Sequence, residues 1–396
     1  MLRRVFIKSY RSCEDVTVDG FDELTLLVGR NGVGKSNLLK AIAWCARTAT
    51  TSSPISLMER VQGSVSLEVE IGEHYFTYYL DTGFLEDGSK RSWGIREKLS
   101  IKTGEESVDV FLRDGANIKL HDSADLVVSP HLPAISAVHS LVPLHEHMDV
   151  ILKLRAFLNK VRYYPLVEIE NADENYANLF ISEEQFAKWQ SGQLAENSTR
   201  EVLCKILDLY LNEHDTFKEL LSLLGSRGIG IIDEIEVDEF YLPKNALDSV
   251  DSSRQQDSDQ AKIHFMGFKS PMYPSKKGIR FDSLSFGTKR LIRFVTDYLY
   301  DNSSIYLLEQ PEDGVHCGLL YKLFGLLESY SEGRQTIIAS HSADLLNIAS
   351  PSSIRMVDVV NGVTTVRGLT ANEQDAAIEF KNKVGTLSEF IHSLQE

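Results

Sequence analysis

A chain of 396 residues, 43% of them hydrophobic and 25% charged, is long enough to bury one large core carrying an insertion, or two separate cores. Its 57 acidic side chains against 41 basic ones leave a formal charge of −16, which disfavours a broad nucleic-acid coat while leaving room for a local basic groove. No run approaches the roughly 18 apolar residues of a membrane span. The four cysteines, Cys13, Cys45, Cys204 and Cys317, show no paired spacing that would frame a zinc site or disulfides, so the cytosol is the expected compartment.

In chain order, residues 1–7 set paired arginines before an apolar stretch that Lys8, Ser9, Tyr10 and Arg11 break at once, the pattern of a strand rather than a secretion signal. Strands are predicted over 5–8, near 16–18 and over the apolar run 24–28. Gly29, Arg30, Asn31, Gly32, Val33, Gly34, Lys35 and Ser36 then complete a G-x-x-x-x-G-K-[ST] loop, and Asn37 opens a segment apolar at helical spacing through Trp44. Glycines at these places let backbone N–H groups surround a triphosphate at a helix N-terminus. Lys35 is expected to set its ammonium against the outer phosphates, and the Ser36 hydroxyl to ligate Mg²⁺. ATP and Mg²⁺ are therefore the expected ligands.

Residues 65–71 alternate at period two and 74–80 follow after Gly72 and Glu73, a hairpin. A helix is expected over 151–158 and a strand over 161–164, ended by Pro165. From 171 to 228 the pattern is helical, an inserted arm or lid, and 251–260 has no apolar side chain and is expected to be a mobile loop. A strand resumes near 263–268. Next come Leu284, Ser285, Phe286, Gly287 and Thr288 ahead of a helix, and a buried strand over 304–308 that ends in Glu309, Gln310, Pro311 and Glu312. A further strand over 336–339 ends in Ser340, His341 and Ser342. A strand pair near 354–366 and a helix to Glu396 close the chain.

This order resembles the ABC-type ATPase heads of the SMC, RecF and OLD group, and especially the compact AAA-family ATPases of bacterial defence loci; the resemblance covers roughly the first 80 and the last 130 residues. It implies an α/β fold: an ABC-type P-loop NTPase head, a mixed sheet flanked by helices, with an inserted helical arm or lid. The expected domains are an N-terminal ATPase lobe over 1–165, an insertion over 166–260 and a C-terminal lobe over 261–396. The resemblance makes Ser285 and Gly287 the signature that meets the γ-phosphate held by a partner head. It makes His341 the switch histidine and sets Arg11 and Ser12 beside the nucleotide. Gln62 becomes a candidate for the metal-contacting glutamine of the Q-loop.

A carboxylate at a strand's C-terminal edge suits Mg²⁺, which falls to Glu309. The family carries a second acid next, where this chain has Gln310. An amide orients water but accepts no proton, so slow hydrolysis with intact ATP binding is expected. Three readings of Gln310 stay open: a native residue in a branch that uses another group, a sensor that turns over rarely, or an introduced trapping substitution. Glu312 is a candidate replacement acid whose direction the strand pattern leaves open.

Other constellations read as ordinary surface. His139, His145 and His147 lack further ligands at metal spacing and read as a solvated loop. Lys153, Arg155, Lys160 and Arg162 read as a charged helix face. Lys269, Lys276, Lys277, Arg280, Lys289, Arg290 and Arg293 form a denser basic stretch, some of it expected to meet phosphates or a partner chain. Only about fifty residues follow Ser342, with no nuclease-like carboxylate cluster, so a catalytic effector is expected on another polypeptide. The resemblance thus implies an ATPase subunit of an anti-phage complex of the PARIS or Septu type. It would form an ATP-sandwich homodimer or higher assembly that holds or releases a nuclease, with DNA or a phage protein as trigger and no membrane. The alternative is a RecF-like repair ATPase acting directly on DNA.

Overall fold

The computed structural model describes residues 1–56, 60–87, 90–104, 106–143, 145–165, 180–192, 199–243, 260–272 and 277–395. It divides into two units: Met1–Pro165, Ser303–Glu312 and Leu327–Glu396 form the first, and Leu166–Asn302 with Asp313–Leu326 the second.

The first unit holds two sheets. Strands β1 (Leu2–Tyr10), β2 (Cys13–Asp19), β4 (Gly63–Ile71), β5 (His74–Asp87), β6 (Lys90–Thr103), β7 (Glu106–Asp114), β8 (Asn117–Leu120) and β9 (Leu126–Val127) make an antiparallel sheet in the order β2-β1-β4-β5-β6-β7-β8-β9. The β4–β5 hairpin turns through Gly72 at φ +62°, with Ile71 opposite His74, as a two-residue loop requires. The alternation of β4 buries Val65, Leu67 and Val69 on one face.

The second sheet runs β10-β14-β15-β3-β16-β17 and is parallel from β10 (Val161–Pro165) through β14 (Ile305–Glu309), β15 (Gln335–Ser340) and β3 (Leu24–Val28) to β16 (Ile354–Val360). β17 (Val363–Gly368) returns antiparallel. Every residue of β14 and β15 is buried, as strands covered on both faces demand. Pro165 ends the edge strand β10, where its missing N–H breaks no ladder. Gln335 ties the sheets together: its side-chain amide donates to the Leu2 carbonyl at 3.0 Å and accepts from the Leu2 N–H.

Helix α1 (Lys35–Thr50) buries Leu38, Leu39, Ala41, Ile42 and Trp44, each large side chain contributing about 1.5–3 kcal/mol. The expected helix over 151–158 is α3 (Met148–Asn159), preceded by α2 (Ala134–Leu141). Ahead of α2 lies a feature that no periodicity announces. Arg113 and Glu97, both fully buried, pair at 3.0 Å, and Glu97 also accepts from Tyr78 and from the Ala134 N–H at the start of α2.

The second unit contains α4 (Glu183–Gln190), α5 (Thr199–Asn212) and α6 (His214–Leu224), helical as expected. It also contains a three-stranded antiparallel sheet, β11 (Ile181–Ser182), β13 (Gln260–Lys269) and β12 (Glu234–Pro243), and then α7 (Phe286–Tyr300). The loop expected over 251–260 lies, apart from Gln260, outside the described residues. After α8 (Cys317–Ser329) and α9 (Ala343–Ile348), the chain closes with α10 (Ala371–Lys383) and α11 (Leu387–Ser393). No described helix is long and apolar enough to cross a membrane.

Candidate nucleotide-binding site

Parallel register sets the site at one edge of the second sheet. Glu309 is level with Ala339, Ala339 with Leu27, and Ser340 with Val28, so the loops leaving β14, β15 and β3 all emerge together. The C-terminal edge of a parallel sheet is where such folds bind ligands.

The loop after β3 keeps its shape through glycine and a brace from β17. Gly34 is the N-cap of α1 at φ +105°, and a Cβ there would sit 2.4 Å from Thr364 Oγ1. Thr364 donates to the Val33 carbonyl at 2.9 Å. No side chain caps α1 and no acid stands in its first turn, so the N–H groups there and the positive end of the helix dipole face outward for an anion. Asn31 and Gly32 are exposed, Gly32 at φ +83°, while Val33 is buried.

Lys35 is 7% exposed, and its ammonium donates to the loop's own Gly29 and Arg30 carbonyls at 2.7 and 2.9 Å. Burial lowers its pKa, against an opposing pull from the Glu312 carboxylate. Asn37 donates to Ser12 Oγ at 2.8 Å, which brings the β1–β2 turn to the loop. Arg11 in that turn has φ +55°, lies exposed, and stacks over Tyr10.

Ser36 lies close enough to Glu309 to lower the pKa of its carboxyl. Glu309 also accepts from Tyr163 of β10 and has the Lys40 ammonium 3.6 Å away. Burial alone would raise its carboxyl, but the nearby Ser36 hydroxyl, the hydrogen bond from Tyr163 and the Lys40 charge hold it below the usual range. A hydroxyl and an ionised carboxylate that already face each other are the hard oxygen donors Mg²⁺ takes, so this pair fits that cation. Gln62 is not drawn in: it lies exposed just ahead of β4, over Gly83, and forms no hydrogen bond with Ser36 or Glu309.

Past Glu309 the backbone turns sharply. Gln310 has φ +48°, donates its N–H to the Ala339 carbonyl at 2.8 Å, and places Nε2 3.1 Å from His341 Nδ1. Glu312 points back toward β15: Oε1 accepts from Ser340 Oγ at 2.6 Å and from the His341 N–H at 3.2 Å, while Oε2 is buried with no hydrogen-bond partner. Gln310, Glu312 and His341 thus form one cluster.

In the second unit, Ser285 is the N-cap of α7, its Oγ accepting from the Thr288 N–H at 3.3 Å. A Cβ on Gly287 would stand 2.3 Å from the Gly314 carbonyl, so backbone packing alone requires glycine there. Much of the basic stretch is engaged within its own unit. Lys269 pairs with Glu234 and Glu236, Arg280 with Asp282, Arg293 lies 3.7 Å from Asp297, and Arg290 donates to the Asp313 carbonyl. Lys276 lies outside the described residues. The sequence reading missed Thr364 and Tyr163, whose roles arise only from strand order, and Lys40, which α1 carries to Glu309.

A glycine-braced loop between a buried parallel strand and an uncapped helix, with a lysine, a serine and a strand-end carboxylate converging on it, has the make-up of a P-loop nucleotide site. Two family models each match part of the chain. Residues 1–126 match the AAA ATPase domain, and residues 207–347 match the family described as AAA domain, putative AbiEii toxin, Type IV TA system. No curated protein matches the chain. Among solved structures, an SMC head domain from Thermotoga maritima is 14% identical at TM-score 0.40, covering 93% of this chain and 99% of its own. An Smc head bound to the C-terminal domain of ScpA derived from Pyrococcus furiosus is 13% identical at TM-score 0.40, over 96% and 99%. An SmcHead bound to the C-winged helix domain of ScpA is 12% identical at TM-score 0.42, over 95% and 99%.

Proposed function

We propose that this chain is the ATP-binding, slowly hydrolysing subunit of a bacterial anti-phage defence complex, working as an ATP-sandwich dimer that holds or releases a separate nuclease. One observation carries the nucleotide reading: the uncapped N-terminus of α1 opens beside the buried Lys35 ammonium and the Ser36–Glu309 pair. The defence setting draws support from the toxin named in the family model over 207–347.

In this reading the α1 N–H groups and Lys35 receive the phosphates, with Asn31, Gly32, Val33 and Gly34 supplying backbone around them and Arg11, Ser12 and Asn37 flanking the nucleotide. Ser36 and Glu309 would hold Mg²⁺, which when bound supplies charge neutralisation to the phosphate oxygens. Gln310 and His341 orient the attacking water beside the γ-phosphate, and Glu312 takes its proton. Ser285 and Gly287 of a second copy close the sandwich. ATP then acts as a ligand that favours the closed state by its differential affinity.

Lys35→Ala removes the buried ammonium without touching the sheet. ATP affinity, measured by equilibrium binding with Mg²⁺, should fall tenfold or more, and unchanged affinity would sink the assignment.

A further inference from the structure

Outside the nucleotide site, two imidazoles and a carboxylate meet where the sequence set them far apart. His121 leaves the end of β8, whereas Glu146 and His147 lead into α3. His121 Nδ1 lies 3.1 Å from Glu146 Oε1, and that oxygen lies 3.4 Å from His147 Nε2. All three ligand atoms fall within 4.8 Å of one another. Ligands bound at 2.0–2.2 Å in a tetrahedron stand about 3.3–3.6 Å apart, so the Glu146–His147 edge already matches and the His121–Glu146 edge, a hydrogen bond without metal, needs only a small opening.

His147 Nε2 is buried and forms no aligned hydrogen bond. A buried ring nitrogen left this way costs free energy unless something accepts its lone pair or its proton. The surroundings also fix the geometry. His145, 5% exposed, accepts the His147 backbone N–H on Nδ1 at 3.2 Å, and its Nε2 lies 3.2 Å from the His121 carbonyl. Accepting on Nδ1 leaves the proton on Nε2 to donate, so one buried ring pins the backbone of one ligand to that of the other. Supporting contacts of this kind orient metal ligands. The Asp122 carboxylate, 3.2 Å from His121 Nδ1, adds negative charge beside the site. Glu146 is half exposed, so a fourth position opens to water.

We infer that His121, Glu146 and His147 form a binding site for a borderline divalent transition cation, Zn²⁺ foremost, which clips the end of the antiparallel sheet to α3. Two nitrogens and one carboxylate oxygen suit Zn²⁺, whereas Mg²⁺ and Ca²⁺ take oxygen ligands. α3 packs on α1, the helix that carries the phosphate loop, so the clip braces the scaffold behind that loop. Sequence spacing alone read His145 and His147 as a solvated loop; the missing ligand, His121, is more than twenty positions away, and His145 is buried rather than solvated.

The test uses the full chain, stripped with chelator and titrated with Zn²⁺ in the absence of nucleotide, followed by bound-metal stoichiometry and thermal unfolding. Wild type should take up one equivalent that excess Mg²⁺ does not displace, with a rise in unfolding temperature. His121→Ala and His147→Ala should each weaken that binding tenfold or more and lose the rise, and Glu146→Gln should weaken it. His139→Ala, whose ring contacts Arg155 instead, should bind as wild type. Far-UV circular dichroism of the metal-free variants, matching wild type, separates loss of ligation from loss of fold. Zn²⁺ uptake unchanged in the His121→Ala, His147→Ala double variant, or no equivalent bound by wild type, would overturn the site.

Discussion

At the residue scale, the proposed hydrolysis turns on which carboxylate accepts a proton. Gln310 sits in the left-handed region, a conformation that costs a side-chain-bearing residue about 1–2 kcal/mol and is held here by its N–H on Ala339. That turn aims its amide at His341 and frees the chain to bring Glu312 back over β15. Glu312 Oε1 is occupied by Ser340 and His341, but the buried Oε2 has no partner and the carboxylate lies close enough to Lys35 to act on its charge. A positioned general base contributes about 10²–10⁴ in rate. Glu312→Gln should therefore lower ATP turnover a hundredfold or more with ATP affinity unchanged. Gln310→Glu should raise wild-type turnover and restore it in the Glu312→Gln background. Steady-state phosphate release beside equilibrium ATP binding reads both; turnover unmoved by Glu312→Gln would reduce that carboxylate to a brace for the Ser340–His341 turn.

At the element scale, buried charge decides how helices meet in the second unit. Lys205 of α5 is 6% exposed and binds Glu201, Asp297 and Asp301 at 3.1, 2.8 and 2.9 Å, the last two on or just beyond α7. Burial works against the Lys205 charge, yet the three carboxylates hold its pKa above the ordinary value. Asp297 moves the other way, raised by burial to about 6 despite Lys205. A carboxyl with a raised folded pKa contributes stability below its ordinary value of 3.8 that is lost as pH climbs through 6. Lys205→Met strips the counter-charge and should cost about 3–5 kcal/mol at pH 8 by denaturant unfolding. The cost should shrink toward pH 5, where Asp297 takes up a proton; a penalty flat from pH 8 to 5 would refute this account. Such elements were only half legible in the sequence. α5 and the hairpin β4–β5 announce themselves because each buries one periodic face. Lys205, Glu97 and Arg113 carry charges that residue type assigns to solvent, and only pairing across separate elements makes their burial tolerable.

At the scale of the whole molecule, the nucleotide edge was legible because its strands are short, largely apolar and end in polar or glycine-rich turns. β3 lies hundreds of residues before β14 and β15, yet the three strands read correctly one by one. Their order in the sheet, and the brace from Thr364, depend on long-range pairing that no local pattern encodes. With a net charge of −16 each, two copies repel, so the proposed closure would be driven by local contacts to the triphosphate rather than by overall attraction. Ser285 allows a clean test of the proposed sandwich, since its side chain serves as the N-cap of α7. Aspartate caps a helix as well as serine does, so Ser285→Asp should leave the unfolding temperature and ATP affinity close to wild type. A carboxylate facing the partner's γ-phosphate would nonetheless oppose closure. Sedimentation with ATP and Mg²⁺ should show dimers for wild type and monomers for both Ser285→Asp and Lys35→Ala, with only the second losing nucleotide. Dimers that persist in Ser285→Asp would mean that the signature serine caps its helix and meets no phosphate.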